Sequence, residues 1–253
     1  MASEPRYEVS VSSDDSLEGT LVVGLSNVGL AGLTAVDHLI HQLEFERIGH
    51  VRARNFPTIT PFANGTPRQA VRLYAAPEHD CCVLASEFVV PVWAAPTFAD
   101  AVQNLVASSD IEEITIFHGV PVPHGPDEHA LFYVATPEYR ERRLDDAGIA
   151  PLRGGVLDGV PGEFANRSLI GELPPLGALI TPIHPPGPDF EAALRFLAFL
   201  REGYGLAVED EQLRERSEAM NRYYSELADR IETLESEGIA PEDRNRPVDR
   251  MFM

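Results

Sequence analysis

The chain has 253 residues, 44% of them hydrophobic, which is long enough for a sizeable core and too apolar for a wholly disordered protein. Its formal net charge of -20 sets 40 acidic residues against 20 basic ones, every one of the latter an arginine, so the surface lacks the cationic patch that non-specific nucleic-acid binding needs. A lysine-free, acid-rich composition fits a halophilic, haloarchaeal-type host, where molar salt cuts the screening length to about 3 Å, and GC-rich coding pushes the same way.

Residues 1–17 read as a polar, acidic N-terminal segment with no apolar core of a leader, and no stretch reaches the roughly 18 apolar residues of a membrane span. A cytoplasmic location is therefore expected, with neither membrane nor nucleic acid as partner. Thr20-Leu21-Val22-Val23-Gly24 then predicts a strand, Leu25-Ser26-Asn27-Val28-Gly29 a glycine turn, and residues 30–43 a helix. Further strands are expected over 48–54, 71–75, 82–86, 114–118, 131–135 and 179–183. Helices are expected over 98–107, 138–147 and 190–202, the last with Phe190, Leu194, Leu197 and Leu200 on one stripe. Strands alternating with helices predict an α/β domain over 18–205, its sheet mostly parallel or mixed and covered by helices on both faces. The two cysteines, Cys81 and Cys82, are adjacent in an apolar run, where neighbouring side chains point to opposite faces; they read as small buried hydrophobes.

From Glu209 the chain turns into a charged helical stretch, and 206–237 reads as a separate helix. Leu213, Ser217, Met220, Tyr224, Leu227, Ile231 and Leu234 recur alternately four and three apart, a heptad seam of about three heptads. The seam suits self-association into a homo-oligomer through Leu213, Met220, Tyr224, Leu227, Ile231 and Leu234. It equally suits a long amphipathic helix folded back on its own domain. Residues 238–253 carry Pro241 and Pro247 among charges and read as a flexible tail, yet they finish on three apolar residues, Met251, Phe252 and Met253.

Chemistry is sparsely signalled. The turn Gly24 to Gly29 invites phosphate, with Gly24, Ser26, Asn27 and Gly29 as a possible ligand turn, because amides at a helix start can cradle an anion. However, Ser26 stands where a dinucleotide fingerprint needs glycine, and Leu30 stands where a P-loop needs lysine. The glycines equally serve close helix and sheet packing. His38 and His41 share one helix face without a third metal ligand in view, and His118, His124, His129 and His184 fall in or near loops. No Gly-x-Ser-x-Gly elbow occurs. No catalytic residue, metal site or cofactor is assigned.

The order of several short motifs resembles one family. Val22-Val23-Gly24-Leu25-Ser26-Asn27-Val28-Gly29 is followed by Asn55-Phe56-Pro57, Ala85-Ser86-Glu87, Ile116-Phe117-His118-Gly119, the region of Gly171 and Ala192-Ala193-Leu194. Together they resemble the proteasome assembly chaperone 2 family over about 18–205. The resemblance implies a nucleoside-phosphorylase-like fold, no established catalytic residues, homo-oligomers in archaeal members, and 20S proteasome α-subunits as partners. It also gives Met251, Phe252 and Met253 a partner-binding role: they look like the hydrophobic, tyrosine, any-residue terminus that docks between α-subunits, with Phe252 lacking the tyrosine hydroxyl. The competing reading is a phosphorylase-like enzyme for a nucleoside or other small metabolite, using the glycine turn for phosphate and His118 or His184 for proton transfer. A third is a scaffold whose heptad helix recruits a helical partner.

Overall fold

The computed structural model describes residues 6–12, 17–123, 125, 128–185 and 187–236, leaving the side chains of 228, 232 and 234–236 aside. In chain order the elements are β1 (Arg6–Val11), β2 (Glu18–Leu25), α1 (Ala31–Gln42), β3 (Glu46–Arg54), β4 (Phe62–Ala63), β5 (Thr66–Pro67), β6 (Val71–Ala76) and β7 (Cys81–Ser86). Then follow α2 (Ala95–Ala107), β8 (Asp110–Val120), β9 (Phe132–Ala135), α3 (Pro137–Arg143), β10 (Ala150–Pro151), α4 (Gly159–Leu169), β11 (Leu176–Pro182), α5 (Phe190–Tyr204) and α6 (Glu211–Ser236).

Nine strands form one mixed sheet in the order β1-β3-β6-β7-β2-β8-β11-β9-β10, while β4 and β5 make a separate small hairpin. The central neighbours β7, β2, β8 and β11 run parallel. Toward one edge, β7, β6, β3 and β1 pair antiparallel. Sequence dictates this split. The central strands are almost continuous apolar runs, and β7 and β11 are buried along their whole length, as strands covered on both faces must be. The β1 strand alternates instead, with Tyr7 buried and Glu8 exposed, as befits a strand that buries one face.

Helices close both faces. On one side Phe98 of α2 and Phe164 of α4 pack over Leu21, Val23, Ile114 and Ile116; on the other Val36 and Leu39 of α1 and Phe196 and Leu197 of α5 pack over Val22 and Phe117. Phe117 and Phe196 stack with centroids 4.5 Å apart. Each such fully buried side chain stabilises the fold by about 1.5–3 kcal/mol. Cys81 and Cys82 are buried free thiols, and burial pushes both above the ordinary thiol range, Cys82 to about 11.

Three differences from the sequence expectation have physical causes. The polar N-terminal segment contains β1, which pairs with β3 from Arg6↔Arg54 to Val11↔Gly49; the period-two set Tyr7, Val9 and Val11 was hidden among acids and serines. Helix α4 carries Gly159, Pro161 and Gly162, poor helix formers whose presence in the first turn is tolerated because that turn needs few internal hydrogen bonds. Helix α3 stops at Arg143, four residues short of the expected end, and its tip is fixed by burial of Tyr139 and Leu144.

Candidate functional site

In an open α/β sheet, ligands and partners gather at the carboxyl ends of parallel strands, so the turn after β2 is the first place to look. Gly29 and Leu30 take left-handed backbone, which swings the chain from β2 into α1. A Cβ on Gly24 would overlap Val36 and the Gly32 carbonyl, and one on Gly32 would sit 2.9 Å from the Phe117 carbonyl. These glycines let α1 lie directly on β2 and β8. Two amides of the turn already have acceptors: Ser26 donates to the Ser86 carbonyl at 2.8 Å and Leu30 to the Asn27 carbonyl at 3.1 Å. The turn works foremost as a packing device.

Beside it stands a small polar pair. His118, at the end of β8, accepts from the Asn27 side-chain amide across 3.4 Å, and the Asn27 Oδ1 is buried with no hydrogen-bond partner among the described residues. Burial holds the His118 imidazole below its ordinary value, partly offset by the Asp158 carboxylate at the start of α4. Next to Asn27, Val28 is exposed.

The remaining histidines do not converge on it. His38 donates to the Glu209 carbonyl at 2.6 Å, tying α1 to the segment before α6, whereas His41 lies 3.8 Å from Asp37 on its own helix. His184 packs edge-on against His129 with centroids 5.0 Å apart and shares Asp189 Oδ2 between its amide and its ring. Asp189 also caps α5 by accepting from the Ala192 amide, a role unnoticed in the sequence although Asp immediately before an apolar helical run is its usual signature. His118 and His184 therefore belong to different clusters, and His124 lies outside the described residues. Among the described residues no group of three or more His, Cys, Asp or Glu has the arrangement of a metal site.

Helix α6 has two characters. Its start is locked down: Asp210 accepts from Arg214 at 2.8 and 2.9 Å and from Arg201 of α5 at 2.8 Å, and the Arg214 bonds first hold its carboxyl down at about 2. Leu213 is 1% exposed inside the core of α1 and α5, and Ser217 is buried too. Leu213 is thus committed to the chain's own domain, because the first two turns of α6 fold back on α5. Met220 is half-buried, and Tyr224 borders a groove of about 360 Å³ against His129, His184 and Phe190. From Ser225 onward every described side chain is exposed, including Leu227 and Ile231. The Leu234 side chain and the tail residues Met251, Phe252 and Met253 lie outside what is described. Among the described residues no helix is long and apolar enough to cross a membrane.

Solved structures share this fold. The chain matches Pyrococcus furiosus PbaA, an archaeal homolog of proteasome-assembly chaperone, at TM-score 0.78 and 19% identity over 91% of this chain and 95% of that one. It matches Pyrococcus furiosus PbaB, an archaeal proteasome activator, at TM-score 0.75 and 19% identity over 88% and 99%. A Thermoplasma acidophilum protein of unknown function matches at TM-score 0.73 and 21% identity over 90% and 93%. No curated protein matches the chain. The PAC2 family model matches residues 21–228, nearly the whole described α/β body and most of α6, and the chain belongs to the PAC2 family.

Proposed function

We propose that this chain is a proteasome-associated binding protein that docks on the α-ring of a 20S particle through Met251, Phe252 and Met253. The observation that carries the reading is the change along α6: its first turns are anchored in the body, and its outer half presents Leu227 and Ile231 to solvent in the direction of the tail. Family membership and the likeness to PbaA and PbaB support a role of this kind. On this reading the body at 18–205 is a platform, the helix at 206–237 joins copies through Tyr224, Leu227, Ile231 and Leu234, and 238–253 is the docking tail. The aromatic ring of Phe252 would bury apolar surface in a groove between α-subunits, at about 1.5–3 kcal/mol per well-buried side chain. Several tails on one oligomer add avidity of about 10²–10⁴. Residues 239–250 span up to about 40 Å when extended, which sets the reach.

The test is capture of 20S particles by the full chain and by a version ending at Arg250. Retention only by the full chain supports tail docking; equal capture removes it. The acidic, lysine-free surface further suits a haloarchaeal cytoplasm, and unfolding midpoints that rise steeply from low to molar KCl are the expected signature.

The phosphorylase-like alternative draws on one observation, the half-buried His118 and Asn27 pair at the strand ends. It predicts that phosphate plus a nucleoside raises the melting temperature, and that His118→Gln abolishes the rise.

A further inference from the structure

A groove lies on the antiparallel side of the sheet. It encloses about 890 Å³ between β3, the end of β1 and the segment that carries the β4 and β5 hairpin. About one residue in six of the chain is acidic, so three carboxylates would be ordinary among the 21 residues that line it. The lining holds none. It holds Arg47, Arg52, Arg68 and His50 instead.

These arginines are under-used. Among the described residues neither Arg47 nor Arg52 has an ion pair; Glu8, which stands across from Arg52 in the strand register, holds Arg54 at 2.8 Å. Arg68 shares Glu87 with the buried Arg72, yet its Nε is buried without an acceptor among the described residues. Arg47 and Arg52, two guanidinium groups without an ion pair among the described residues in a groove whose lining has no carboxylate, call for an acceptor from outside. The rim adds apolar surface, with Ile59 and, on the hairpin, Phe62 exposed.

We propose that this groove binds an extended acidic segment of a partner protein. A bulge between Arg47 and Gly49 makes the five residues from Arg47 to Arg52 count as four ladder steps, about 13 Å on one face of β3, so carboxylates four residues apart on one face of an extended peptide would reach both, with an apolar residue between them against Ile59. A nucleic-acid strand is the poorer fit, since a phosphate backbone continues past the groove onto a surface of net charge -20. This inference stands apart from tail docking, because it concerns the opposite end of the chain and its test uses no proteasome.

The test measures fluorescence anisotropy of a labelled ten-residue peptide alternating Glu and Ser against the full chain. Its companions are a Gln and Ser peptide, a Lys and Ser peptide and a ten-nucleotide oligothymidine. Salt near 0.15 M keeps the Debye length at about 8 Å, so contact pairs persist while distant repulsion is screened. Saturable binding of the Glu peptide alone is expected, weakened about ten-fold by Arg47→Gln with Arg52→Gln and unchanged by the distant pair Arg140→Gln with Arg153→Gln. In the unaltered chain, the Glu peptide should also shield Arg47 and Arg52 from phenylglyoxal, read by mass spectrometry. Absence of saturable Glu-peptide binding, equal loss in both double variants, or oligothymidine binding as tightly would each overturn the proposal. So would a groove variant that changes the sedimentation of the chain while leaving peptide binding intact, which would assign the groove to a second copy.

Discussion

The turn after β2 and the outer half of α6 are opposites. At the turn, where many α/β proteins keep a ligand, glycines bring α1 onto the sheet until no room is left for a Cβ at Gly24 or Gly32, and amides that could hold an anion bond to neighbouring carbonyls. Along α6 the reverse holds: past Met220 the helix leaves its own core and keeps apolar side chains in water. Packing is complete at one place and withheld at the other, and exposed apolar side chains of the second kind suit the docking proposed above.

The difference can be attacked from both ends. The largest effect should come from Gly24→Val, which drives a branched side chain into Val36 and the Gly32 carbonyl; loss of about 3 kcal/mol or more in chemical denaturation is expected, and a near-neutral result would mean the turn has slack. Next, Leu213→Ala should cost about 2–4 kcal/mol, whereas Leu227→Ala should cost under about 0.5 kcal/mol in a dilute monomer, because only the first is buried at home. Similar costs for the two would erase the division of α6. At high concentration Leu227→Glu with Ile231→Glu should reduce the sedimentation coefficient if the outer half joins copies.

Smaller effects follow from protons. The imidazole of His118 is held below its ordinary value of about 6.5, so the unfolded chain takes up a proton first; stability is full above that value and falls as pH drops below it. His118→Gln should flatten this slope in pH-dependent melting. Asp210 is depressed to about 2, so its contribution is full above about pH 4 and is lost between there and about pH 2; Asp210→Asn should remove that acid limb of α6 unfolding, seen in the far-ultraviolet signal.

Much of this was legible in the residues. The apolar, β-branched run from Thr20 to Gly24 is a buried strand as its pattern predicts, and the stripe Phe190, Leu194, Leu197 and Leu200 marks a helix, although burial centres one position round, on Ala193, Phe196, Leu197 and Leu200, and leaves Phe190 and Leu194 half-buried. The β1 strand and α4 escaped because their signals are local and weak: three alternating apolar residues among serines and acids, and a helix opening on Gly159 and Pro161. The seven heptad positions of the last helix could not reveal where the seam changes partner, as Leu213 and Leu227 look alike until α5 is seen beneath one of them. The arginine groove was invisible for a similar reason, since Arg47, Arg52 and Arg68 are brought together only by the fold of the hairpin back along β3.

The most direct measurement is the affinity of purified 20S particles for the full chain compared with the chain lacking Met251, Phe252 and Met253, by surface plasmon resonance on immobilised particles. A drop of at least about a hundred-fold, the avidity of several tails lost together, is the expected result. Unchanged affinity would contradict the docking account at its centre and shift attention to the body of the molecule.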